Sequence, residues 1–364
     1  MGFKCGLVGL PNVGKSTIFN ALTKMAVPAE NYPFCTVEPN VGVVPLEDER
    51  LEKIARMVGS KKVTPTVLEF VDIAGLVQGA NQGEGLGNQF LSHIQRVDAI
   101  VHIVRCFEDE NVAHHTGALD PVRDVQIVTQ ELILKDLEWI ENRMQKTRTA
   151  ARTGDKTARE EYAALEQMRE HLLAEKELRS LQLDETGRRL VRELNLLTAK
   201  PVLFVANVDE AHLQDNPYRN ALFQYAARQG TIGIELAGKA LAEIVELDPE
   251  DQEIFMQELG LKESGLQTLV RAGYEVLHLI TFFTANETEA RAWTLKQGTP
   301  VIEAAGLVHS DFKDHFIRAE VVRPEDLFAA GSEAKLREQG KVQIHGRDYI
   351  VQDGDLIFFR AGKG

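Results

Sequence analysis

GLPNVGKS, residues 9–16, stands between a short apolar run, Lys4–Leu10, and a segment with helical spacing, Ser16–Met25. The stretch fits the pattern GxxxxGK[ST], and its place after a predicted strand and before a predicted helix is the context that this pattern requires. The two glycines let the backbone curl so that successive N–H groups point inward, and the helix adds its positive N-terminal end. The sequence therefore predicts a phosphate-binding loop at the start of an α/β domain.

Two side chains of this loop have specific roles toward a nucleoside triphosphate. Lys15 supplies positive charge to the β- and γ-phosphates, and the Ser16 hydroxyl is a ligand for Mg²⁺. The backbone N–H groups surround the phosphates. The predicted phosphate-binding residues of the loop are therefore Asn12, Val13, Gly14, Lys15, Ser16 and Thr17.

A second anchor for the phosphates follows a buried strand predicted at Val67–Ile73. Asp72 lies where this strand ends and can hold Mg²⁺ through water, and the N–H of Gly75 can reach the γ-phosphate. Between the two anchors, Thr36 lies in an irregular segment and is a candidate for the threonine that closes on Mg²⁺; the alternative is an ordinary loop threonine. The predicted metal ligands are thus Ser16, Thr36 and Asp72.

Further compact runs of β-branched residues occur at Ala99–Val104, Val202–Ala206 and Thr231–Leu236. Such runs are typical of strands that are buried on both faces of a parallel sheet. Their alternation with helical segments predicts an open parallel α/β sheet with helices on both faces.

A long helical segment interrupts this sheet after Ala99–Val104. Residues 124–198 contain no proline, and they show one helical pattern at about 125–149 and a second at about 157–197, with Gly187 as a candidate break. The polar stretch 149–157 is a turn candidate, so we expect an antiparallel helical hairpin. Residues 281–364 then predict a small α+β domain, with strands at the following positions: Leu279–Thr284, Phe316–Val322, Val342–Ile344 and Leu356–Arg360.

Composition excludes several classes of protein. The chain has 364 residues, of which 44% are hydrophobic and 26% charged, so it is neither disordered nor fibrous. We find no apolar run of the roughly 18 residues that span a membrane, no signal peptide and no myristoylation pattern. Three separated cysteines without a CxxC pair suit a reducing cytosol, and a net charge of −14 opposes wrapping of nucleic acid by the whole chain.

Three further stretches of the sequence are distinctive: the glycine-rich segment 72–91, NYPFCT at 31–36, and HSDF at 309–312 with FIRAEV at 316–321. They resemble the Obg-like ATPase family, also called the YchF family, of translation-factor-related P-loop GTPases. The resemblance covers nearly the whole chain. It implies a P-loop nucleotide (G) domain at 1–123 and 201–280, an inserted coiled-coil arm at 124–200 and a C-terminal TGS domain of β-grasp shape at 281–364.

The motif that selects the base departs from the guanine-specific pattern. In guanine-specific relatives an Asn-Lys-x-Asp motif reads the base, and its aspartate accepts two hydrogen bonds that only guanine offers. Here the motif is NVDE, residues 207–210, so Glu210 replaces the aspartate and the lysine is absent. Adenine loses nothing at such a site, and the amide of Asn207 can still bridge the purine N7 and the 6-substituent, so we expect ATP to be preferred over GTP.

Residues 232–236 are the loop that should close over the base, although they lack the small residues expected there. With the NVDE motif, this loop completes the predicted base-binding set: Asn207, Val208, Glu210, Ile234 and Glu235.

Hydrolysis needs a polar side chain that orients the attacking water. Many GTPases place a glutamine directly after Asp-x-x-Gly, but this chain has Leu76, which cannot hydrogen-bond. His114 falls at the position of the histidine to which the resemblance assigns this role, and a histidine can orient water near neutral pH. His115 is a neighbouring competitor, and a solvated loop histidine without a catalytic role is the alternative.

Asn12 makes K⁺ a candidate second ion beside Mg²⁺. In monovalent-cation-dependent relatives an asparagine at this place ligates K⁺, which can supply the charge of a missing arginine finger. The alternative is that Asn12 only shapes the loop, and the sequence does not decide between the two.

The resulting prediction is a slow, Mg²⁺-dependent ATP-hydrolysing switch that binds ATP and ADP and docks on the ribosome and its RNA. We expect it to act as a monomer in the cytoplasm, without membrane contact. Two alternatives stay open, a GTP-specific GTPase of the Obg type and a nucleotide-dependent scaffold with incidental hydrolysis. A metabolic kinase would need motifs for an acceptor pocket and a lid, which we do not find.

The turn of the helical hairpin is the predicted partner surface. Between residues 143 and 159 the chain has six basic residues and one acidic residue, a net charge of +5 in a protein of net −14. The arm holds this charge away from the nucleotide domain by more than a Debye length of ~8 Å, so the field is not cancelled. We expect ribosomal RNA to be bound by the TGS domain together with six basic residues of the turn: Arg143, Lys146, Arg148, Arg152, Lys156 and Arg159. A solvated basic turn is the alternative.

Overall fold

The computed structural model describes residues 2–27, 40–73, 86–109, 118–210, 215–258 and 265–362. Contacts between Cα atoms divide the chain into two units. The first unit consists of Met1–Val44 and Glu69–Val276, and the second of Pro45–Leu68 and Leu277–Gly364. The sequence boundaries count residues 45–68 with the nucleotide domain, whereas the contacts place them with the C-terminal residues.

The strands in chain order are β1 Lys4–Val8, β2 Val41–Leu46, β3 Lys62–Thr64, β4 Thr66–Asp72, β5 Ala99–Arg105, β6 Val202–Asn207, β7 Gly233–Leu236, β8 Leu279–Ala285, β9 Glu289–Lys296, β10 Phe316–Val322, β11 Gln343–His345 and β12 Leu356–Ala361. The helices are α1 Lys15–Lys24, α2 Glu49–Val58, α3 Leu86–Gln95, α4 Pro121–Thr153, α5 Lys156–Leu173, α6 Glu185–Leu194, α7 Pro217–Arg228, α8 Gly238–Ile244, α9 Pro249–Glu258, α10 Gly265–Val276, α11 Val301–Val308, α12 Ser310–Asp314, α13 Pro324–Ala330 and α14 Glu333–Glu338. In the described stretches, no helix has the length and apolar character that a membrane crossing requires.

The first unit contains the predicted α/β sheet, with the strand order β2-β4-β1-β5-β6-β7. The neighbours β4, β1, β5, β6 and β7 pair in parallel. All seven residues of β5 are buried, as expected for a central parallel strand that is covered on both faces. The predicted P-loop sheet is therefore confirmed. Strand β2 at its edge was not predicted.

The predicted helical hairpin is formed by α4 and α5. Gly154 caps the C-terminal end of α4, and its φ of 103° is in the left-handed region that favours glycine. The next residue, Asp155, caps the start of α5 by accepting from the N–H of Ala158 at 2.9 Å. The seam between the helices is apolar around Ile140 and Leu165, and both side chains are fully buried. The hairpin is thus held by the packing of one apolar face of each helix.

The break in the second helical pattern is not at Gly187. Helix α5 ends at Leu173, a short 3₁₀ turn follows at Leu178–Ser180, and α6 begins at Glu185. Gly187 lies in the first turn of α6, where its N–H donates to the capping side chain of Asp184 at 2.7 Å. A glycine so near the start of a helix does not break it, because the cap holds the first turn.

One buried carboxylate fixes the root of the arm to the residues before β6. Asp136 of α4 accepts from the backbone N–H groups of Leu197 and Thr198, both at 2.8 Å, and from the Thr198 hydroxyl at 2.6 Å. Burial raises the pKa of Asp136 to about 6 even though these bonds favour the ionised form. The arm is therefore anchored close to the strand that leads into NVDE.

The second unit is a six-stranded sheet of order β11-β10-β12-β8-β9-β3. This unit contains two apolar clusters, each formed by helix and strand residues together. Helices α2, α13 and α14 belong to one cluster, and α11 belongs to the other. Strand β9 was not predicted, and β3 enters from residues 45–68 to pair with it in parallel.

Candidate functional site

The predicted phosphate loop connects β1 to α1. Gly14 has a φ of 87° and Asn12 a φ of 63°, both in the left-handed region, and α1 begins at Lys15 directly after Gly14. A β-carbon on Gly14 would collide with the side-chain amide of Asn207, so only glycine fits there. These two left-handed residues produce the tight curl that turns backbone N–H groups inward.

Lys15 and Asp72 form an ion pair at the carboxyl ends of β1 and β4. The Lys15 side chain is 10% exposed and that of Asp72 is 23% exposed, so the pair is largely shielded from water. Since the carboxyl ends of parallel strands are where open α/β sheets bind ligands, the structure brings these two predicted site residues to one place. A bound triphosphate would offer Lys15 a competing anionic partner.

The oxygen donors near Lys15 suit Mg²⁺. Ser16 is exposed in the first turn of α1, and the Asp72 carboxylate is close enough to bind Lys15. A hydroxyl and a carboxylate are hard oxygen ligands, and Mg²⁺ in nucleotide sites takes one or two of these together with phosphates and water. The donor set therefore fits this ion.

Asn207 is a buried bridge between the phosphate loop and the segment after β7. Its amide nitrogen donates to the carbonyl oxygen of Val13 at 2.9 Å, and its amide oxygen accepts from the N–H of Gly238 at 3.0 Å. The residue is 4% exposed. Asn207 thus fixes two walls of the site whether or not it also contacts a base.

A cavity of about 410 Å³ opens beside this bridge, which is large enough for a small-molecule ligand. Its lining combines predicted site residues with several acidic side chains. The lining residues are Gly14, Thr17, Phe107, Glu108, Asp109, Asn207, Val208, Asp209, Glu210, Ala237 and Lys239.

Two residues of the predicted base-binding set are placed elsewhere. Ile234 and Glu235 lie within β7, neither is among the residues that line the cavity, and Glu235 pairs with Arg219 at 2.7 Å. The wall after β7 is formed instead by Ala237 and Lys239. The base loop was placed at residues that the sequence also predicts as a strand, and β7 indeed runs to Leu236. Contacts of Ile234 and Glu235 with a base stay a prediction. The small Ala237-Gly238 pair was the signal available in the sequence.

Arg105 is a residue that sequence reasoning missed. It ends β5, is 3% exposed, and donates from Nε to the carbonyl oxygen of Phe107 at 3.0 Å and from Nη2 to that of Asp109 at 3.3 Å. Its guanidinium also lies 4.7 Å from the centre of the Phe107 ring, a cation–π distance. Arg105 therefore holds the loop that supplies the aromatic wall of the cavity.

Several predicted residues lie outside the described part of the chain. These are Thr36, Gly75, Leu76, His114 and His115. The roles of Thr36 as a Mg²⁺ ligand and of His114 in catalysis stay predictions.

The basic residues of the predicted partner surface at the arm differ in their ion pairing. Arg143 lies back along α4 and binds Glu161 of α5 at 2.5 Å, and Lys156 is 3.9 Å from Glu160. Glu161 lies outside the window in which the charges were counted, so Arg143 contributes less free charge than the count implies. Five of the six basic residues are exposed around the turn: Lys146, Arg148, Arg152, Lys156 and Arg159.

Two family models match the chain. Residues 4–135 match a family described as a 50S ribosome-binding GTPase, MMR_HSR1. Residues 279–362 match YchF-GTPase_C, described as a protein of unknown function. The first match covers the phosphate loop and Asp72, and the second covers most of the C-terminal part of the second unit.

Relatives match over almost the full length. The chain is 48% identical over 363 residues to the ribosome-binding ATPase YchF of Bacillus subtilis and 47% identical over 359 residues to that of Escherichia coli O157:H7, with 99% of each chain covered. The solved structure of the YchF GTPase of Schizosaccharomyces pombe is similar with a TM-score of 0.88 and 34% identity, over 99% of this chain and 98% of that one. The names of these relatives differ in the nucleotide, ATP in two and GTP in one.

Proposed function

The chain belongs to the YchF family of ribosome-binding ATPases, and from that premise we propose that it is an adenine-selective, Mg²⁺-dependent ATPase whose nucleotide state controls docking on the ribosome. The observation that carries the proposal is the cavity of about 410 Å³ that joins the phosphate loop to NVDE. One end of this cavity is suited to phosphates and the other to a base without guanine-specific donors.

The preference for adenine rests on what faces the base. Glu210 is exposed at the cavity and stands where guanine-specific relatives have the reading aspartate, and Val208 occupies the place of their lysine. The Asn207 amide nitrogen carries two hydrogens, and its bond to Val13 uses one of them. The second can donate to the purine N7, a contact that adenine and guanine share. Selectivity then comes from the longer side chain of Glu210, whose carboxylate is displaced by one methylene from the place where aspartate accepts from guanine, a contact that adenine does not need.

The phosphates are bound by charge and by backbone groups. Lys15 exchanges Asp72 for the β- and γ-phosphates, and the N–H groups of residues 12–17 with the start of α1 complete the cradle. Ser16 and Asp72, with Thr36 from outside the described residues, are the proposed holders of Mg²⁺. When bound, this ion neutralises charge that develops on the phosphate oxygens.

For hydrolysis, we propose that a histidine orients the attacking water. Leu76 cannot hydrogen-bond, so we assign this task to His114, which follows the loop held by Arg105. K⁺ at Asn12 is retained as a candidate source of further positive charge. The left-handed φ of Asn12 is also compatible with a role in loop shape alone.

A calorimetric titration tests the base preference. We expect ADP to bind more tightly than GDP, and the double substitution Val208→Lys with Glu210→Asp, which rebuilds the guanine-specific pattern, should shift the ratio toward GDP by at least tenfold. Asp209→Asn is the matched control, because it changes a charge in the same motif but leaves both specificity positions intact. Equal or tighter binding of GDP by the parent would contradict adenine selectivity.

The proposed partner is the ribosome, and the proposed docking surface is the arm turn. The chain should act as a cytoplasmic monomer. Lys146, Arg148, Arg152 and Arg159 are exposed there, and phosphate contacts from such residues make binding fall steeply with salt. The C-terminal TGS residues are the second proposed contact with ribosomal RNA.

A further inference from the structure

A second cavity, of about 340 Å³, lies at the arm turn between α4 and α5. Its walls are Arg148, Ala151 and Arg152 from α4 and Arg159, Tyr162, Ala163 and Glu166 from α5. The volume is at the lower end of the range for small-molecule pockets, about 300–1,000 Å³. The arm turn therefore has a concave surface in addition to its charge.

The cavity lies beside the apolar seam of the hairpin. Farther along the arm, large apolar residues such as Ile140 and Leu165 fill the seam. Near the turn, the small side chains of Ala151 and Ala163 border the cavity, and Ala163 is exposed. These small side chains leave the space between the larger lining residues open to a ligand.

The lining side chains have the chemistry of nucleotide recognition. Arg148, Arg152 and Arg159 present planar guanidinium groups, and Arg159 is braced across the turn by donating from Nε to the carbonyl oxygen of Ala151 at 3.2 Å. Tyr162 is half-buried and supplies the one aromatic ring among the residues that line the cavity. Arginine planes and aromatic rings are the surfaces on which proteins stack unpaired RNA bases.

The charge of the lining residues also changes along the cavity, from arginines at one end to a carboxylate at the other. Because the two helices run antiparallel from Gly154, distance from the turn orders the lining residues, and Arg152 and Arg159 belong to the outer end. Arg148 and Tyr162 are then in the middle, and Glu166 is at the inner end. An anionic phosphate suits the outer end, and the exocyclic amino group of a base suits the carboxylate at the inner end.

We infer that this cavity binds a single unstacked nucleotide of RNA, with its base against Tyr162 and its phosphate on Arg152 and Arg159. This inference rests on the proposed docking of the arm on the ribosome. It adds that the arm turn recognises unpaired RNA. An acidic protein segment would satisfy the arginines but would leave the flat faces of Tyr162 and Arg148 without a stacking partner.

The test is the binding of the full-length protein to two fluorescein-labelled RNAs of equal length, a hairpin with a seven-nucleotide unpaired loop and a fully paired duplex. We expect the parent to prefer the loop RNA by roughly tenfold, the scale of one base stacked on an aromatic ring. Ala163→Leu fills the cavity without changing charge and should abolish this preference. Ala150→Leu is the matched control, since Ala150 is exposed beside the cavity but does not line it.

Two further variants separate stacking from charge. Tyr162→Leu should lose the loop preference while Tyr162→Phe keeps it, and both should bind the duplex as the parent does. Arg148→Gln with Arg152→Gln should weaken binding to both RNAs and reduce the salt dependence. A 2-aminopurine in the loop should change fluorescence on binding to the parent and not on binding to Ala163→Leu.

Binding of loop RNA by Ala163→Leu as tightly as by Ala150→Leu would overturn the inference while leaving electrostatic docking intact. Loss of ribosome binding by Ala163→Leu, with loop RNA binding unchanged, would also overturn it and would point to an acidic protein segment. If neither charge nor cavity variants alter ribosome binding, the arm turn itself is not the docking surface and the proposed function fails at that point.

Discussion

The side-chain amide of Asn207 donates a hydrogen bond to the backbone carbonyl oxygen of Val13 at 2.9 Å, across 194 residues of sequence. Val13 belongs to the phosphate loop and Asn207 to the motif that selects the base. A single buried amide therefore couples the two halves of the nucleotide site.

Asn207→Asp should weaken the binding of ATP and GTP alike by at least tenfold. The substitution replaces the donor with a carboxylate oxygen, which would face the Val13 carbonyl oxygen in a buried place, and two unpaired acceptors cost about 1–3 kcal/mol. Titration calorimetry with both nucleotides checks this. Unchanged affinity for both nucleotides would show that the bond from Asn207 to Val13 does not organise the loop.

Arg105 should act as a positioning residue for the cavity. Arg105→Lys keeps the positive charge but cannot hold the carbonyl groups of Phe107 and Asp109 together over the same distance. We expect a higher KM for ATP with a smaller change in kcat, and Arg105→Ala should be worse in KM. Steady-state kinetics give this split, and Arg56→Lys, an exposed arginine on α2, is the control. An unchanged KM in both Arg105 variants would mean that the loop holds its position without the guanidinium.

The catalytic assignment of His114 separates chemistry from binding. His114→Ala should lower single-turnover hydrolysis while ATP affinity stays close to that of the parent, because a residue that acts only in the transition state does not contribute to ground-state binding. His115→Ala is the matched neighbour and should retain activity. The reverse pattern would shift the assignment by one residue, and full activity in both variants would remove histidine from the mechanism.

Glu320 should make the second unit sensitive to acid. Its side chain is 4% exposed and accepts from Arg360 at 3.0 and 3.1 Å, from Arg337 at 2.9 Å and from Arg318 at 3.1 Å, and these arginines lower its pKa to about 2. A lowered carboxyl pKa stabilises the fold above the unfolded value of about 4.5, and this stabilisation is lost as the pH falls from 4.5 through 2.

Glu320→Gln should therefore reduce the free energy of unfolding at pH 7 by roughly 1–3 kcal/mol, with the difference from the parent shrinking below pH 4.5. Urea unfolding followed by Trp293 fluorescence, in a background in which Trp139 is replaced by Phe, reports on this unit. Glu338→Gln, an exposed carboxylate at the end of α14, is the control. A constant difference across this pH range would show that the charge of Glu320 is not what stabilises the unit.

The sequence predicted the elements that have a strong local signal. The phosphate loop, Asp72 and the buried parallel strands each carry a residue pattern that depends on near neighbours alone. The NVDE motif was also predicted, because it stands at the end of the strand β6. These features lie where local sequence and structure agree.

Other features depended on contacts that are distant in sequence. Residues 45–68 join the second unit because β3 pairs with β9, more than 200 positions away, and nothing in the segment itself indicates that partner. The end of the strand predicted at Thr231–Leu236 agrees with the end of β7, but the base loop was placed inside this strand, at Ile234 and Glu235, whereas Ala237 and Lys239 line the cavity. The contacts of Arg105 with backbone carbonyl groups leave no pattern in the sequence at all.

The central claim is that an adenine nucleotide in the cavity beside Asn207 controls docking on the ribosome. Co-sedimentation with purified ribosomes, in the presence of a non-hydrolysable ATP analogue, the matching GTP analogue, ADP or no nucleotide, tests it most directly. We expect the ATP analogue alone to raise the ribosome-bound fraction, and we expect no response from Lys15→Ala, which cannot hold the phosphates. The same bound fraction in all four conditions, or a response to the GTP analogue equal to that for ATP, would contradict the claim.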